Sequence, residues 1–161
     1  MSEAATSAAP AEAAAPAEAA EPGSGPTQVL ATRGEDRTHD FQYAVIRVVP
    51  QIERQEFINA GVVLFCRTLG FLEARVKLRR ELLAALTSTA DAEAIAVQLA
   101  AYERIAAGDI TAGAIARLSQ SERYHWLTAP SSTVLQSSPA HSGQCRDPAA
   151  MLTHLFTDLV V

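Results

Sequence analysis

Five polar residues near one end of a predicted β-hairpin could form a binding site. They are Arg47, Glu53, Arg54, Glu56 and Asn59. Arg47 and Asn59 lie in otherwise apolar runs, where a buried guanidinium without a partner would be strongly unfavourable. Two interpretations follow. Either Glu56 or Glu53 pairs with Arg47 and fixes the hairpin, or Arg47 binds an anion or the carboxyl group of a ligand.

A second polar cluster occupies residues 121–143. Its candidate ligand-binding residues are Arg123, His125, Trp126, Gln136 and His141. Such a mixture can form a polar pocket with an aromatic wall, and histidine adds a group that titrates near neutral pH. The same residue types also form turns and helix caps, and Trp126 with Leu127 could fill part of a core. A ligand between this segment and the hairpin is one hypothesis, and a structural role is the other.

The sequence contains no standard catalytic or metal-binding motif. It lacks a glycine-rich phosphate loop, H-E-x-x-H, C-x-x-C and G-x-S-x-G, so no catalytic residue, cofactor or metal is predicted. Cys66 ends an apolar run and is expected in the core, whereas Cys145 is expected in a polar loop. Their spacing predicts no disulfide, and a reduced cytoplasmic protein is the simpler interpretation.

Three strand-like runs must position the first cluster. They are 41–49, 57–66 and 71–78. The first is apolar on both faces, which is typical of a central strand, and the third alternates apolar and charged residues, which favours an edge. In the second run, Gly61 predicts a bulge or the close approach of another backbone. Regular alternation would place four of its apolar side chains on one face: Ile58, Ala60, Val62 and Leu64.

Helical periodicity follows the strands. A short helix is predicted over 79–86, and a longer one should begin after Asp91 and stop at Gly108. Ser119 and Glu122 have the spacing of a capping box for a helix that ends near Leu127.

The last part of the chain carries signals for both a strand and a helix. Residues 132–137 are compatible with a fourth strand, and 139–146 are predicted to be a loop. Asp147 followed by Pro148 marks the start of a last helix. Strands first and helices after predict an α+β fold, with a small antiparallel sheet packed against several helices.

Composition separates a tail, residues 1–38, from a single domain, residues 39–161. The sequence before Asp40 holds 12 alanines and 4 of the 8 prolines, which predicts a disordered segment. It carries six acidic and two basic residues, whereas the remainder carries 12 acidic and 11 basic residues. Because the predicted domain is nearly neutral, a dedicated nucleic-acid-binding function is disfavoured.

The sequence also predicts no association with a membrane. No segment approaches the roughly 18 apolar residues of a membrane-spanning helix. The first residues lack both the early basic residue and the apolar stretch of a signal peptide.

Two segments resemble a known family. V-I-R-V-V-P-Q-I-E-R-Q-E-F-I-N-A-G-V-V-L-F-C and H-W-L-T-A-P-S-S-T-V-L-Q-S-S-P-A-H-S-G are similar to the bacterial domain-of-unknown-function family three-zero-three-seven. The resemblance extends from about Tyr43 to the end of the chain. It implies a small bacterial cytoplasmic protein with no assigned activity, and it hints at a kinase-fold partner of the HipA type. Ser131 stands where such sequences often have arginine, which weakens an anion site in the second segment.

Two functions are therefore expected to compete. The first is a non-enzymatic accessory or protein-interaction domain that serves a kinase-like partner, and it predicts an exposed apolar patch. The second is a small enzyme or binding domain for a phosphorylated or nucleotide-like ligand. It requires the polar residues of both clusters to converge on one concave pocket.

Overall fold

A computed structural model describes residues 37–161, so the predicted tail lies almost wholly outside the described residues. The strands are β1 (His39–Gln51), β2 (Glu56–Cys66), β3 (Phe71–Val76), β4 (Leu135–Ser137) and β5 (His141–Cys145). The helices are α1 (Arg80–Leu86), α2 (Ala92–Ala107), α3 (Gln120–Leu127) and α4 (Pro148–Leu159). Short 3-10 turns occupy Arg67–Leu69, Ile110–Ala112 and Ile115–Arg117. The predicted α+β class is confirmed.

The five strands form one antiparallel sheet with β1 at its centre. The order is β3-β2-β1-β4. β5 also pairs with β1, on the same side as β4 but with residues 39–43, whereas β4 pairs with residues 46–48. The central position of β1, the edge position of β3 and the fourth strand are confirmed. The loop predicted for 139–146 is wrong, because residues 141–145 pair with residues 39–43 of β1.

A serine side chain bridges the break between β4 and β5. The Ser138 N–H donates to the Val45 carbonyl at 2.8 Å, and the Ser138 Oγ accepts from the Val45 N–H at 2.9 Å. The same hydroxyl donates to the Pro139 carbonyl at 2.9 Å. Ser138 is fully buried, so its hydroxyl takes the place of a ladder bond where the backbone turns from one strand to the next.

A bulge in β2 reverses the alternation of its side chains. Ile46 lies opposite Gly61 but Arg47 lies opposite Asn59, so Ala60 is the extra residue. The predicted single face for Ile58, Ala60, Val62 and Leu64 is therefore wrong. The first two side chains pack with α2 and α3, and the last two pack with α4. The bulge predicted from Gly61 is confirmed.

Each face of the sheet has its own core. On one face, Ala44, Ile46 and Val48 of β1 pack with α2 and α3. On the other face, Leu152 of α4 is fully buried. The helix starts predicted at Asp91, Ser119 and Asp147 are confirmed, since each side chain accepts hydrogen bonds from main-chain N–H groups of its first turn.

Candidate functional site

Three predicted site residues form a row across neighbouring strands. Arg47 on β1 lies opposite Asn59 on β2 and opposite Gln136 on β4. The Asn59 amide donates to the Leu159 carbonyl at 3.0 Å, which ties the row to the end of α4. The bulge creates this arrangement, because it turns Asn59 and Arg47 to the same face of the sheet.

The predicted ion pair of Arg47 with Glu56 or Glu53 is wrong. Arg54 donates to Glu56 at 2.7 Å instead, and this bond holds the pKa of the Glu56 carboxyl below its ordinary value. Glu53 is exposed and has no ion pair within residues 37–161. Because both side chains of the Arg54–Glu56 pair are exposed, it contributes little to stability.

Arg47 lies against an aromatic ring. Its guanidinium carbon is 4.3 Å from the centre of the Phe57 ring, a cation–π distance. Among the described residues, the buried Arg47 Nε and Asn59 Oδ1 have no hydrogen-bond partner. One buried donor, the Arg47 Nε–H, and one buried acceptor, Asn59 Oδ1, are thus unpaired in this row. Phe57 was not predicted as a site residue, although its place two residues before Asn59 puts it on the same strand face.

Three predicted residues of the second cluster make local contacts. Arg123 donates to the Leu118 carbonyl at 2.8 Å and to the Ala106 carbonyl at 3.4 Å, and so joins the end of α2 to the turn before α3. Gln136 donates to the Thr133 carbonyl at 3.0 Å. His141 stacks on Tyr43, with ring centres 5.1 Å apart. These contacts agree with a structural role for residues 121–143, the interpretation that competes with ligand binding.

A cleft of about 630 Å³ opens between the first hairpin and residues 121–143. We name it the β5 cleft. It is lined by Asp40, Phe41, Gln42, Phe65, Arg67, Ser121, His125, Ser142, Gly143 and Gln144. The ligand position predicted between the hairpin and residues 121–143 stays a prediction, because His125 is the one predicted candidate among the residues that line this cleft and the two polar clusters do not converge in it.

The β5 cleft holds groups of both charges. His125 Nδ1 lies 2.7 Å from the Ser121 carbonyl oxygen. A carbonyl can only accept, so Nδ1 carries the hydrogen and Nε2 is left for other partners. Asp40 accepts from the Gln144 amide at 2.9 Å, and Arg67 is exposed at the cleft wall. The cleft can therefore hydrogen-bond a polar ligand, but Asp40 offsets the positive charge of Arg67.

A second depression, of about 460 Å³, lies between α2, α3 and β4. We name it the tryptophan groove. Its lining residues are Gln98, Ala101, Tyr102, Ile105, Trp126, Ala129, Ser131, Thr133 and Leu135. Trp126 is 46% exposed, so it does not fill the core as Leu127 does. The rings of Tyr102 and Trp126 lie 6.4 Å apart and are tilted by 49°.

The spacing of α3 explains this exposure. Tyr124 and Leu127 are three residues apart, and both are buried beneath the helix. His125 and Trp126, between them, must turn toward other surfaces. His125 therefore reaches the β5 cleft and Trp126 reaches the tryptophan groove.

The two cysteines belong to the core that faces α4. Cys66 was predicted to be buried and is, whereas Cys145 was predicted in a polar loop and is instead buried on β5. Burial raises the pKa of the Cys145 thiol, and electrostatic interactions with Cys66 and with the Asp147 carboxylate add to the rise. A protonated, buried thiol is a poor nucleophile.

A comparison with protein families identifies the domain. The family described as "Protein of unknown function (DUF3037)" matches residues 43–160. The chain belongs to the DUF3037 family. The match spans nearly the whole sheet and all four helices, and it confirms the family resemblance. Comparisons with curated proteins and with solved structures returned no match.

Within residues 37–161, no group of three or more His, Cys, Asp or Glu side chains could hold a metal ion. In the same range, the hydrogen bond of His125 goes to a main-chain carbonyl and not to a hydroxyl. No helix of the described part of the chain is long and apolar enough to cross a membrane.

Proposed function

We propose that this domain is a non-enzymatic accessory module that binds a protein partner through the tryptophan groove. The observation that carries the proposal is the half-exposed Trp126 beside Tyr102, in a concave surface whose nine lining residues include no charged side chain. Tryptophan and tyrosine are enriched among the residues that dominate binding energy, and interface centres are depleted of charge.

The groove is built to bury a partner's apolar side chain. Ile105 and Leu135 form its floor and are both buried in the sheet core, so the floor is rigid. Gln98, Ser131 and Thr133 supply polar groups at the rim. An apolar centre with a polar rim is the usual composition of a protein interface.

The partner in this proposal is a kinase-fold protein of the HipA type, as the family resemblance implies. The proposed setting is the bacterial cytoplasm, and the two free, buried cysteines support a reducing compartment. The near-neutral charge of residues 40–161 supports a protein partner over a nucleic acid.

Replacing Trp126 with serine is expected to weaken binding of the purified kinase-fold protein at least about tenfold, because a central aromatic contact is lost. Titration calorimetry measures the change, and urea melts verify that the variant is folded. Ile110→Ser is the matched control, since Ile110 is 63% exposed and lies outside the groove. Equal affinity of the Trp126→Ser and Ile110→Ser variants would contradict the proposal.

The β5 cleft favours a second candidate, a binding domain for a phosphorylated or nucleotide-like ligand. Arg67 and the free Nε2 of His125 line the same cavity, and both can donate to phosphate oxygens when the imidazole is protonated.

In this second case, Arg67→Met is expected to weaken binding of ATP or inorganic phosphate about tenfold, because a charge-assisted hydrogen bond is lost. Calorimetry with the wild type, Arg67→Met and Arg117→Met measures it, and Arg117 is an exposed arginine outside the cleft. Absence of binding to the wild type, or unchanged affinity in Arg67→Met, would count against a phosphate site.

A further inference from the structure

The outer side of the edge strand β3 presents main-chain groups that the sheet does not use. The Lys77 N–H donates to the Ala60 carbonyl at 2.8 Å, on the side of β2. In an antiparallel ladder, alternate residues turn their main-chain groups to the same side. Leu72, Ala74 and Val76 must therefore turn theirs outward. The Val76 N–H confirms this direction, because it donates to the Glu103 side chain of α2 at 3.0 Å.

Side chains bind the main chain at the two ends of this outer edge but not in its middle, where Leu72 and Ala74 are 4% and 9% exposed. At one end, the Gln120 amide donates to the Gly70 carbonyl at 2.6 Å, and at the other end Glu103 accepts from Val76. Between them, no hydrogen bond among residues 37–161 uses the outward N–H and C=O groups of Leu72 and Ala74. Such groups are a template for a further strand.

A groove of about 460 Å³ runs beside this open edge. It is lined by Gly70, Phe71, Leu72, Glu73, Ala74, Glu103, Ala107 and Gln120. Five of these residues are consecutive in β3 and the turn before it, so the groove follows the strand direction. Among the described residues, the charged side chains that line it are Glu73 and Glu103, and none is basic.

We propose that the outer edge of β3 binds an extended, basic segment of a protein partner as an added sixth strand. Main-chain hydrogen bonds to Leu72 and Ala74 would supply the pairing, and lysine or arginine side chains on the α4 side of the added strand would complement Glu73, which lies opposite Leu64 on that face. Ala74 and Ala107 are small and leave room for an apolar side chain on the α2 side. This surface is separate from the tryptophan groove, and the proposal does not depend on that groove.

Charge argues against two other segments that could pair with this edge, the tail of the same chain and the β3 strand of a second copy. The tail before Asp40 carries six acidic and two basic residues, so its charge has the same sign as the groove. A second copy that paired Leu72 with Ala74 of its twofold mate would place Glu73 directly opposite its own equivalent. Like charges in that position destabilise a strand pair.

The test uses the full chain and three five-residue peptides. One alternates valine and lysine, the second alternates valine and glutamate, and the third is the lysine peptide with methylated main-chain nitrogens. We expect the lysine peptide to bind, and both other peptides to bind at least about tenfold more weakly. Fluorescence anisotropy measures affinity. Hydrogen exchange should show protection of the Leu72 and Ala74 amides in the complex alone.

Two variants separate strand addition from nonspecific attraction. Glu73→Lys should weaken binding of the lysine peptide at least about tenfold. Glu81→Lys adds the same charge at an exposed position of α1 outside the groove and should change affinity less than about twofold. Equal effects of the two variants would overturn the proposal.

Other results also decide against it. The proposal fails if the lysine peptide does not bind at millimolar concentration, or if the Leu72 and Ala74 amides exchange at the same rate in the complex. Protection of these amides in the free chain at every concentration would assign the edge to the chain's own tail. Protection that grows with protein concentration would assign it to a second copy.

Discussion

Gly61→Ala is expected to destabilise the domain by about 3 kcal/mol, at the upper end of the range for overpacking. A Cβ atom on Gly61 would lie 2.7 Å from the Arg75 carbonyl oxygen and 2.9 Å from a methyl carbon of Val76. One of these atoms belongs to the backbone of β3, so relief requires the two strands to move apart. Urea denaturation followed by circular dichroism measures the change.

Gly70→Ala separates this steric effect from the conformational freedom of glycine. Gly70 has a φ of 60°, but the nearest atom to a Cβ there is 3.9 Å away. This variant should therefore lose only about 1 kcal/mol, the cost of a left-handed backbone for a residue with a side chain. If Gly61→Ala were at least as stable as Gly70→Ala, the predicted steric cost would be wrong, because β3 would move away from the added Cβ atom with little loss of stability.

Ser138→Ala is expected to cost about 1–3 kcal/mol, because it strands a buried N–H group. The Val45 N–H would lose its acceptor at 2.9 Å, and both Val45 and Ser138 are buried. Thermal and urea unfolding of the purified variant measure the loss.

Ser142→Ala is the matched control for this change. Ser142 lies four residues later, on β5, and is exposed. Its replacement should change the free energy of unfolding by no more than about 0.5 kcal/mol. If Ser138→Ala and Ser142→Ala were equally stable, the hydroxyl at 138 would not be required to join the two strands.

Local patterns were sufficient to predict most of the fold. Asp91, Ser119 and Asp147 each accept hydrogen bonds from the first turn of a helix, an interaction between residues two or three apart. The alternation of β3 likewise matches the burial of Leu72 and Ala74 beside the exposed Glu73, and the continuous apolar run of β1 matches its burial on both faces. β5 was missed because its sequence, H-S-G-Q-C, lacks β-forming residues. Its extended form depends on pairing with β1, a partner about a hundred residues away.

The site was less predictable than the fold. A ligand between the hairpin and residues 121–143 was predicted from the two polar clusters, but the β5 cleft is lined instead by residues such as Arg67, Gly143 and Gln144, which carry no motif. The predicted Arg47–Glu56 pairing was wrong because Glu56 pairs with Arg54 and because the bulge at Ala60 brings Phe57 to the face of Arg47. The exposure of Trp126 follows from its place on α3 between the buried Tyr124 and Leu127, but which side of α3 faces the sheet depends on the packing of the whole domain.

The pairing of β1 with β5 sets the order in which the nascent chain can fold. Asp40 and Gln144 are 104 residues apart in sequence, yet their side chains are hydrogen-bonded. During synthesis, the hairpin of β1 and β2 leaves the ribosome long before β5 exists, so one side of β1 stays unpaired. Such long-range closure slows folding and prolongs the exposure of aggregation-prone strands. The apolar residues of β1 that make it a good central strand therefore also make it the segment that a ribosome-associated chaperone would need to protect.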